Sequence, residues 1–208
     1  MTAGAETLLD QFGHIDIYLF DQLLRGRIRP GMQVLDAACG TGRNLVYMLR
    51  HGFDVSAVDR DPQAVAIVRS LAAKLAPGLS LERFRVEPVE RMSFDSLSMD
   101  VVVSNSVLHF ARDDHHFEAM VLEMWRVLKP GGVFFCRLAS SIGMEHRMQP
   151  LGGGRFLLPD GADWYLVDER RLMNLTARLE GRQLDPLKTT VVQDQRCMTT
   201  WVLVKAGP

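Results

Sequence analysis

The chain has 208 residues, of which 24 are basic and 25 acidic, so its formal net charge is −1. A chain of this length suits one domain with a substantial core, and we expect a single domain over residues 1–208. The near-neutral charge gives no sign of a surface for nucleic acid or for a membrane. No apolar run reaches the length of a membrane span, and the first ten residues lack a signal pattern.

The three cysteines, Cys39, Cys136 and Cys197, lie far apart and show no metal-type spacing. Two of them stand in apolar runs of the kind that form strands. We interpret all three as reduced thiols of a cytoplasmic protein.

Apolar residues recur on a mostly helical period over residues 6–24, with Gly13 as the weak point. This pattern predicts one or two N-terminal helices that pack across a sheet edge. Within them, His14 and Asp16 are interpreted as surface or packing residues. Tyr18 remains open between packing and a place in a binding site.

A strand, a glycine turn and a helix follow one another over residues 34–49. Gly40 and Gly42 permit backbone conformations that a side chain would block, and the turn would present backbone N–H groups at the carboxyl edge of a sheet. A dinucleotide site requires a third glycine where Leu45 stands. The carboxylate of Asp36 would repel a pyrophosphate but attract a cationic ligand. The stretch therefore indicates a sulfonium and ammonium ligand, with a ligand-free glycine turn as the alternative.

The same stretch resembles motif I of the class I S-adenosylmethionine-dependent methyltransferases, usually an acid followed by G-x-G-x-G. The resemblance implies a cofactor site at Asp36, Gly40, Gly42 and Asn44. Position 38 departs from the family because it is alanine, although the Ala38 carbonyl remains available to the methionine ammonium. The resemblance also implies that residues 1–30 form a helical lid, in which Tyr18 is a candidate to lie near the sulfonium or ribose.

The second strand is predicted over residues 52–59 and ends at Asp59. A carboxylate there can accept hydrogen bonds from both ribose hydroxyls of an adenosyl group, as the motif II acid does in this family. We place Arg60 in the same cofactor site. A helix over residues 61–76 follows, with Asp61 as N-cap and proline at the first helical position.

The third strand is predicted over residues 79–86 and leads into a turn. The family usually has an acid-small-acid stretch in this turn, whose first acid binds the adenine amino group. Here Pro88 falls on that acid. Adenine recognition is then left to Glu87, to Glu90 or to the Val89 backbone, unless these acids form only a solvated turn.

The fourth strand is predicted over residues 100–105, and residues 106–110 resemble the segment that follows it in the family. The resemblance implies that Asn105 contacts the methionine end of the cofactor. His109 is either a base or substrate ligand, or a packing residue. The acids and histidines of residues 113–116 could suggest a metal, but adjacent helical residues do not share a face. A helix cap explains them better, and we predict no metal site.

A helix over residues 115–128, a type II turn over residues 129–132 and a fifth strand over residues 133–139 complete the family-like stretch. The resemblance then covers residues 34–139 with four ordered motifs. Such a series is far more specific than one glycine turn.

Residues 140–167 are rich in glycine and proline, too much so for a regular helix. We predict a substrate-covering insert, with a surface excursion as the alternative. A helix over residues 168–179 follows. Two final strands, over residues 186–192 and 197–204, should form a hairpin that closes a seven-stranded sheet.

The predicted fold class is therefore α/β, with a seven-stranded Rossmann-like methyltransferase sheet. It is mostly parallel, has a C-terminal antiparallel hairpin, and carries helices on both faces. The predicted function is methyl transfer from S-adenosylmethionine to a small-molecule acceptor, mainly by proximity and orientation. One alternative is a non-catalytic protein that binds adenosylmethionine or a partner; the other is a nicotinamide-dependent oxidoreductase.

Overall fold

The computed structural model describes residues 7–207 of the chain. Eleven strands are formed: β1 Gln33–Ala37, β2 Asp54–Asp59, β3 Phe84–Val86, β4 Met99–Asn105, β5 Leu128–Ser140, β6 Gln149–Gly152, β7 Arg155–Leu157, β8 Asp163–Tyr165, β9 Gly181–Gln183, β10 Lys188–Val192 and β11 Arg196–Lys205. The helices are α1 Leu8–Phe12, α2 Ile17–Leu24, α3 Val46–Arg50, α4 Pro62–Leu75, α5 Asp114–Val127 and α6 Glu169–Arg178.

The main sheet has the strand order β10-β11-β5-β4-β1-β2-β3. Strands β1 to β5 run parallel, while β11 is antiparallel to both β5 and β10. From β1 the chain adds β2 and then β3 on one side, and it then crosses to the other side of β1 to add β4 and β5. This reversal places a crevice at the carboxyl ends of β1 and β4, where open α/β sheets bind ligands. The predicted mostly parallel α/β fold with a C-terminal hairpin is confirmed.

The sheet has eight strands rather than the predicted seven, because β9 pairs with β11. Gly181 lies opposite Lys205 and Gln183 lies opposite Leu203, so β9 pairs with the C-terminal end of β11. Three residues are too short to show a period of two, and for this reason the sequence pattern did not reveal the strand.

Both faces of the sheet are covered by helices. On one face α2, α3 and α4 contribute Leu19, Met48 and Val68 to a core that includes Val34. On the other face α5 and α6 contribute residues to a core that includes Leu35. Neighbouring residues of β1 thus enter different cores, which explains why the central strands are apolar almost throughout.

The predicted helices after β2 and after the insert are confirmed, and each begins at a capping aspartate. Asp61 accepts a hydrogen bond from the Gln63 amide, and Asp168 accepts one from the Arg171 amide. The third strand is shorter than predicted, because residues 81–83 form a single 3-10 turn that Ser80 caps.

The predicted turn over residues 129–132 is instead a bulge within β5. Leu128 pairs with Met99 and Val133 pairs with Val101, so β4 advances two positions while β5 advances five. Gly131 has a φ of 77°, which the bulge requires and which glycine adopts without strain.

The segment predicted as a loop-rich insert contains the small sheet β6-β7-β8. It leaves the main sheet at Ser140 and returns at Val167, and these two residues form a parallel bridge. Apolar side chains of the insert pack against the ends of β5 and β11 in one cluster: Met144, Met148, Leu158 and Leu166 with Ala139, Cys197 and Met198. Its other glycines and prolines mark turns and bends, whereas Pro150 and Gly152 lie within β6.

Two helices form at the N-terminus, separated at Gly13, which has a φ of 62°. Glu6, where the predicted helical segment begins, lies outside the described residues, as does the start of the predicted lid. Over residues 7–207, every helix falls short of the length and apolarity that crossing a membrane requires.

Candidate cofactor site

A cavity of about 420 Å³ lies at the carboxyl edge of the sheet, near the ends of β1, β2 and β4. Its volume is within the usual range of ligand pockets, roughly 300–1,000 Å³. The cavity is lined by Ala38, Cys39, Gly40, Thr41, Arg43, Asn44, Asp59, Arg60, Pro88, Val89, Glu90, Asn105, Ser106, Val107, Phe110, His116 and Met120.

The glycine turn forms one wall of this cavity. Gly40 has a φ of 53°, and its amide donates a 2.8 Å hydrogen bond to Asp59 Oδ2. Ala38 has a φ of 61°, a left-handed conformation that is strained for an alanine. Gly42 does not line the cavity: a Cβ there would lie 3.1 Å from Val68 Cγ2. The first glycine therefore serves the cavity, and the second allows close packing on α4.

The carboxylate of Asp59 holds the turn and faces the same cavity. Besides the Gly40 amide, it accepts a 2.9 Å hydrogen bond from the Asp61 amide through Oδ1. Each carboxylate oxygen can accept a further hydrogen bond. Arg60 also lines the cavity, directly after this acid.

Asp36 is 2% exposed and does not line the cavity. Burial raises the pKa of Asp36 to about 7; Arg43 acts in the opposite direction, and the nearby charge of Asp59 raises the pKa further. Its Oδ2 is buried without a hydrogen-bond partner. The strand-end acid is thus placed to act on a ligand through its charge rather than by contact.

Two amide side chains that the sequence assigned to the cofactor, Asn44 and Asn105, line the cavity wall. Asn44 Oδ1 accepts a 3.0 Å hydrogen bond from the Asp16 amide. Asn105 Oδ1 accepts one of 2.9 Å from Arg43 Nη2, whereas Asn105 Nδ2 is buried and has no hydrogen-bond partner among residues 7–207. An unpartnered donor on a cavity wall is available to a ligand.

Asp16 is buried at 7% exposure and lies between two guanidinium groups. Its Oδ2 is 3.3 Å from Arg137 Nη1 and 4.0 Å from Arg43 Nη2, while its Oδ1 caps α2 at the Tyr18 amide. Of the two interpretations of Asp16, surface or packing residue, the structure supports packing, and Asp16 connects α2 to the glycine turn.

Tyr18 does not line the cavity. Its hydroxyl forms a 2.7 Å hydrogen bond with Thr190 Oγ1, and its ring lies 5.2 Å from the Arg137 guanidinium carbon. The structure thus places Tyr18 between α2 and β10, where it holds the helix on the sheet.

The three candidates for adenine recognition separate into two groups. Val89 and Glu90 line the cavity together with Pro88. Glu87 does not, and its carboxylate accepts hydrogen bonds from the amide and the hydroxyl of Ser93. The structure therefore brings Val89 and Glu90, but not Glu87, to the cavity.

His109 is 3% exposed and does not line the cavity. Its ring lies 4.5 Å from the rings of both Phe110 and Trp164, and Nδ1 is 3.4 Å from the Ala139 amide nitrogen. Burial lowers the pKa of His109 to about 4, with a smaller contribution from Arg196. Of the two hypotheses for His109, the geometry favours packing.

Nine residues that line the cavity were not assigned to the cofactor from the sequence: Cys39, Thr41, Arg43, Pro88, Ser106, Val107, Phe110, His116 and Met120. His116 and Met120 are four residues apart on α5 and so share one face of the helix, which was the available signal. Asp113 accepts a 2.8 Å hydrogen bond from the His116 amide, in agreement with the predicted cap.

Comparison with known proteins agrees with this geometry. A family described as "Methyltransferase domain" matches residues 35–136. The chain is 35% identical over 104 residues to YodH, an uncharacterized methyltransferase of Bacillus subtilis, covering 50% of this chain and 42% of that protein. It is 34% identical over 107 residues to ribosomal RNA small subunit methyltransferase H of Chelativorans, covering 50% and 32%.

Among solved structures, the fold resembles the 1,6-didemethyltoxoflavin-N1-methyltransferase of Burkholderia thailandensis, crystallised with 1,6-didemethyltoxoflavin and S-adenosylhomocysteine. The TM-score is 0.68 at 21% identity, over 91% of this chain and 76% of the Burkholderia chain. The chain belongs to the class I S-adenosylmethionine-dependent methyltransferases. The predicted family and cofactor are confirmed, which leaves the nicotinamide alternative without support. The chain spans less than half the length of the curated relatives it matches here.

Proposed function

We propose that this protein transfers the methyl group of S-adenosylmethionine to a small-molecule acceptor. The observation that carries the proposal is the cavity at the carboxyl edge of β1, β2 and β4. Eight residues assigned to the cofactor from the sequence line this one cavity: Ala38, Gly40, Asn44, Asp59, Arg60, Val89, Glu90 and Asn105.

These residues suit the three parts of the cofactor in order along the cavity. The Ala38 carbonyl and the Asn105 amide side chain take the methionine group, and Asp59 takes the ribose hydroxyls. Val89 and Glu90 take the adenine. The negative charge of buried Asp36 favours a cationic ligand above it, because Coulomb attraction is weakly screened in the interior.

The reaction needs little covalent chemistry from the protein. A lone pair of the acceptor attacks the methyl carbon in line with the C–S bond, and that bond breaks to leave S-adenosylhomocysteine. The acceptor then loses a proton to solvent where it carries one. Orientation and exclusion of water can supply much of the rate, so no acid–base pair is required.

We propose that α2 is the lid over this site. Its cap residue Asp16 is joined to the glycine turn through Asn44, and Tyr18 joins the helix to β10. Residues 1–6 of the predicted lid lie outside the described residues. These contacts support a lid that is attached at Asn44 and at β10.

We propose that residues 140–167 shape the acceptor side. The insert reaches the segment beside the cavity: Trp164 contacts His109, and Arg155 Nη1 donates a 2.8 Å hydrogen bond to the Ala111 carbonyl. Phe110 lies between His109 and Ala111 in the chain, lines the cavity and is 55% exposed. A half-exposed ring at such a mouth suits contact with an organic acceptor.

A small-molecule acceptor is supported by the net charge of −1 and by the ligand of the Burkholderia structure. The ribosomal RNA enzyme among the relatives makes RNA the alternative to be tested. We also propose a cytoplasmic location, which the three free cysteines support.

The test is transfer of labelled methyl from S-adenosylmethionine into a cell extract, separated into low-mass, RNA and protein fractions. Label in the low-mass fraction is expected. Label confined to RNA or protein would refute the small-molecule acceptor. Tight binding of the cofactor without transfer in any fraction would favour the non-catalytic alternative, and absence of binding would refute the proposal as a whole.

A further inference from the structure

We propose that His116 and Glu90 together read the adenine base, as a donor and an acceptor placed side by side on the cavity wall. The inference rests on the cofactor site proposed above and assigns a specificity role to a histidine of the same cavity that has no role in that proposal. Both residues line the cavity, together with Val89 and Met120.

The hydrogen bond at His116 Nδ1 fixes which ring nitrogen can act as a donor. Nδ1 accepts a 3.1 Å hydrogen bond from the Arg112 amide. In the neutral imidazole this leaves the ring proton on Nε2. His116 is 8% exposed, and its Nε2 is buried with no hydrogen-bond partner in residues 7–207. A buried donor without a partner is costly, and a ligand would satisfy it.

Glu90 supplies the complementary group. Its Oε1 lies 3.2 Å from His116 Nε2, but the two are not aligned as a hydrogen bond. Within residues 87–90, Pro88 has no side-chain acceptor, and Glu87 is bound to Ser93. Glu90 is therefore the carboxylate of this turn that remains available on the wall.

An acceptor beside a donor matches the edge of adenine. At its N1 edge, adenine presents the N6 amino donor next to the N1 acceptor, a donor beside an acceptor like the N6/N7 pair that an asparagine or glutamine amide reads in DNA. Hypoxanthine presents the opposite pattern, a carbonyl oxygen beside an N–H group. The pair should therefore accept adenine and reject hypoxanthine, since buried polar groups left unpaired are unfavourable.

The position of the pair suits a base whose ribose is held by Asp59. Glu87, three residues before Glu90, donates its amide to the Asp59 carbonyl at 3.1 Å. The turn that carries Glu90 is thereby fastened to the end of β2. His116 approaches the same part of the cavity from the first turn of α5.

The experiment measures binding of S-adenosylhomocysteine and S-inosylhomocysteine by calorimetry. Wild-type protein should prefer the adenosyl ligand by roughly ten- to a hundredfold, the range for one or two such hydrogen bonds. His116→Asn keeps an acceptor for the Arg112 amide but removes the donor at the Nε2 position. His116→Gln carries a donor to that position. The matched control is His115→Asn, at the exposed neighbouring histidine.

The preference should fall to about threefold or less in His116→Asn and remain about tenfold in His116→Gln. It should be unchanged in His115→Asn. Glu90→Ala should also reduce it, which keeps the test decisive if a His116 variant does not fold. A wild-type preference near one, or an undiminished preference in folded His116→Asn or Glu90→Ala, would overturn the inference. Failure of the wild type to bind S-adenosylhomocysteine would instead refute the proposed function.

Discussion

Replacement of Asp59 gives the sharpest test of the cofactor site. Its carboxylate accepts hydrogen bonds from the Gly40 and Asp61 amides. A bound ribose would add two hydroxyl donors, and a hydrogen bond to a charged group contributes roughly 1.5–3 kcal/mol. Each change of about 1.4 kcal/mol is tenfold in affinity. Asp59→Ala should therefore weaken S-adenosylmethionine binding by about ten- to a hundredfold.

Asp59→Asn keeps an acceptor oxygen but loses the charge, so its affinity should fall between those of the other two proteins. Calorimetric titration measures all three, with circular dichroism as the folding control. Asp59 also holds the Gly40 turn, so the loss could come from the turn alone. Binding of the 2′-deoxy analogue of S-adenosylhomocysteine separates the two causes. If Asp59 binds the ribose, losing the hydroxyl and the carboxylate together should cost less than the sum of the separate losses.

Wild-type affinity in a folded Asp59→Ala protein would remove Asp59 from the site. Losses that add fully in the analogue experiment would mean that Asp59 acts only on the turn.

Three further predictions concern titration and the insert. Burial lowers the pKa of His109 from 6.5 to about 4, so the free energy of unfolding should fall as the pH drops from 6.5 to about 4. This loss, at most about 3 kcal/mol in urea unfolding, should be absent in His109→Gln. An acidic limb in the rate profile that His109→Gln abolishes, with about a hundredfold loss of turnover, would instead identify a base. Burial raises the pKa of Asp36 from 3.8 to about 7, so its ionisation destabilises the ligand-free fold as the pH rises through that window. Asp36→Asn should then stabilise the ligand-free protein at pH 8, by at most about 4 kcal/mol, while weakening cofactor binding; unchanged thermal stability would contradict this. Shortening the insert around residues 152–154 should reduce turnover and leave cofactor binding within about twofold, and equal loss of both in a folded protein would argue against an acceptor role.

The sequence was informative where structure is local. The strand, turn and helix around Gly40 follow from apolar runs and glycine spacing, and Asp61 and Asp168 cap helices as their positions predict. The predicted site lies on turns at the ends of parallel strands, and the fold brings such ends to one edge. Residues on those turns could therefore be grouped before the structure was known.

Contacts between distant segments could not be read in the same way. Gly40 and Gly42 look equivalent in the sequence, yet only the packing of α4 shows that the second serves the core. The sequence left Asp16 open between a surface and a packing residue, because its two arginine neighbours come from other segments. His116 and Glu90 are 26 positions apart, and only the tertiary fold sets them 3.2 Å from each other.

The bridge between Ser140 and Val167 has a consequence for how this enzyme family can diversify. The two ends of the insert are neighbours in the sheet, and the Ser141 amide also bonds to the Val167 carbonyl at 2.9 Å. A segment whose ends are fixed side by side can change length at little cost, since doubling a loop adds only about 0.6 kcal/mol of closure entropy. Segments of other lengths and sequences could therefore be exchanged between Ser140 and Val167 while β5 and the cofactor turn stay in place. On the proposed assignment, the part that holds the methyl donor is separate from the part that can be replaced to accept new molecules.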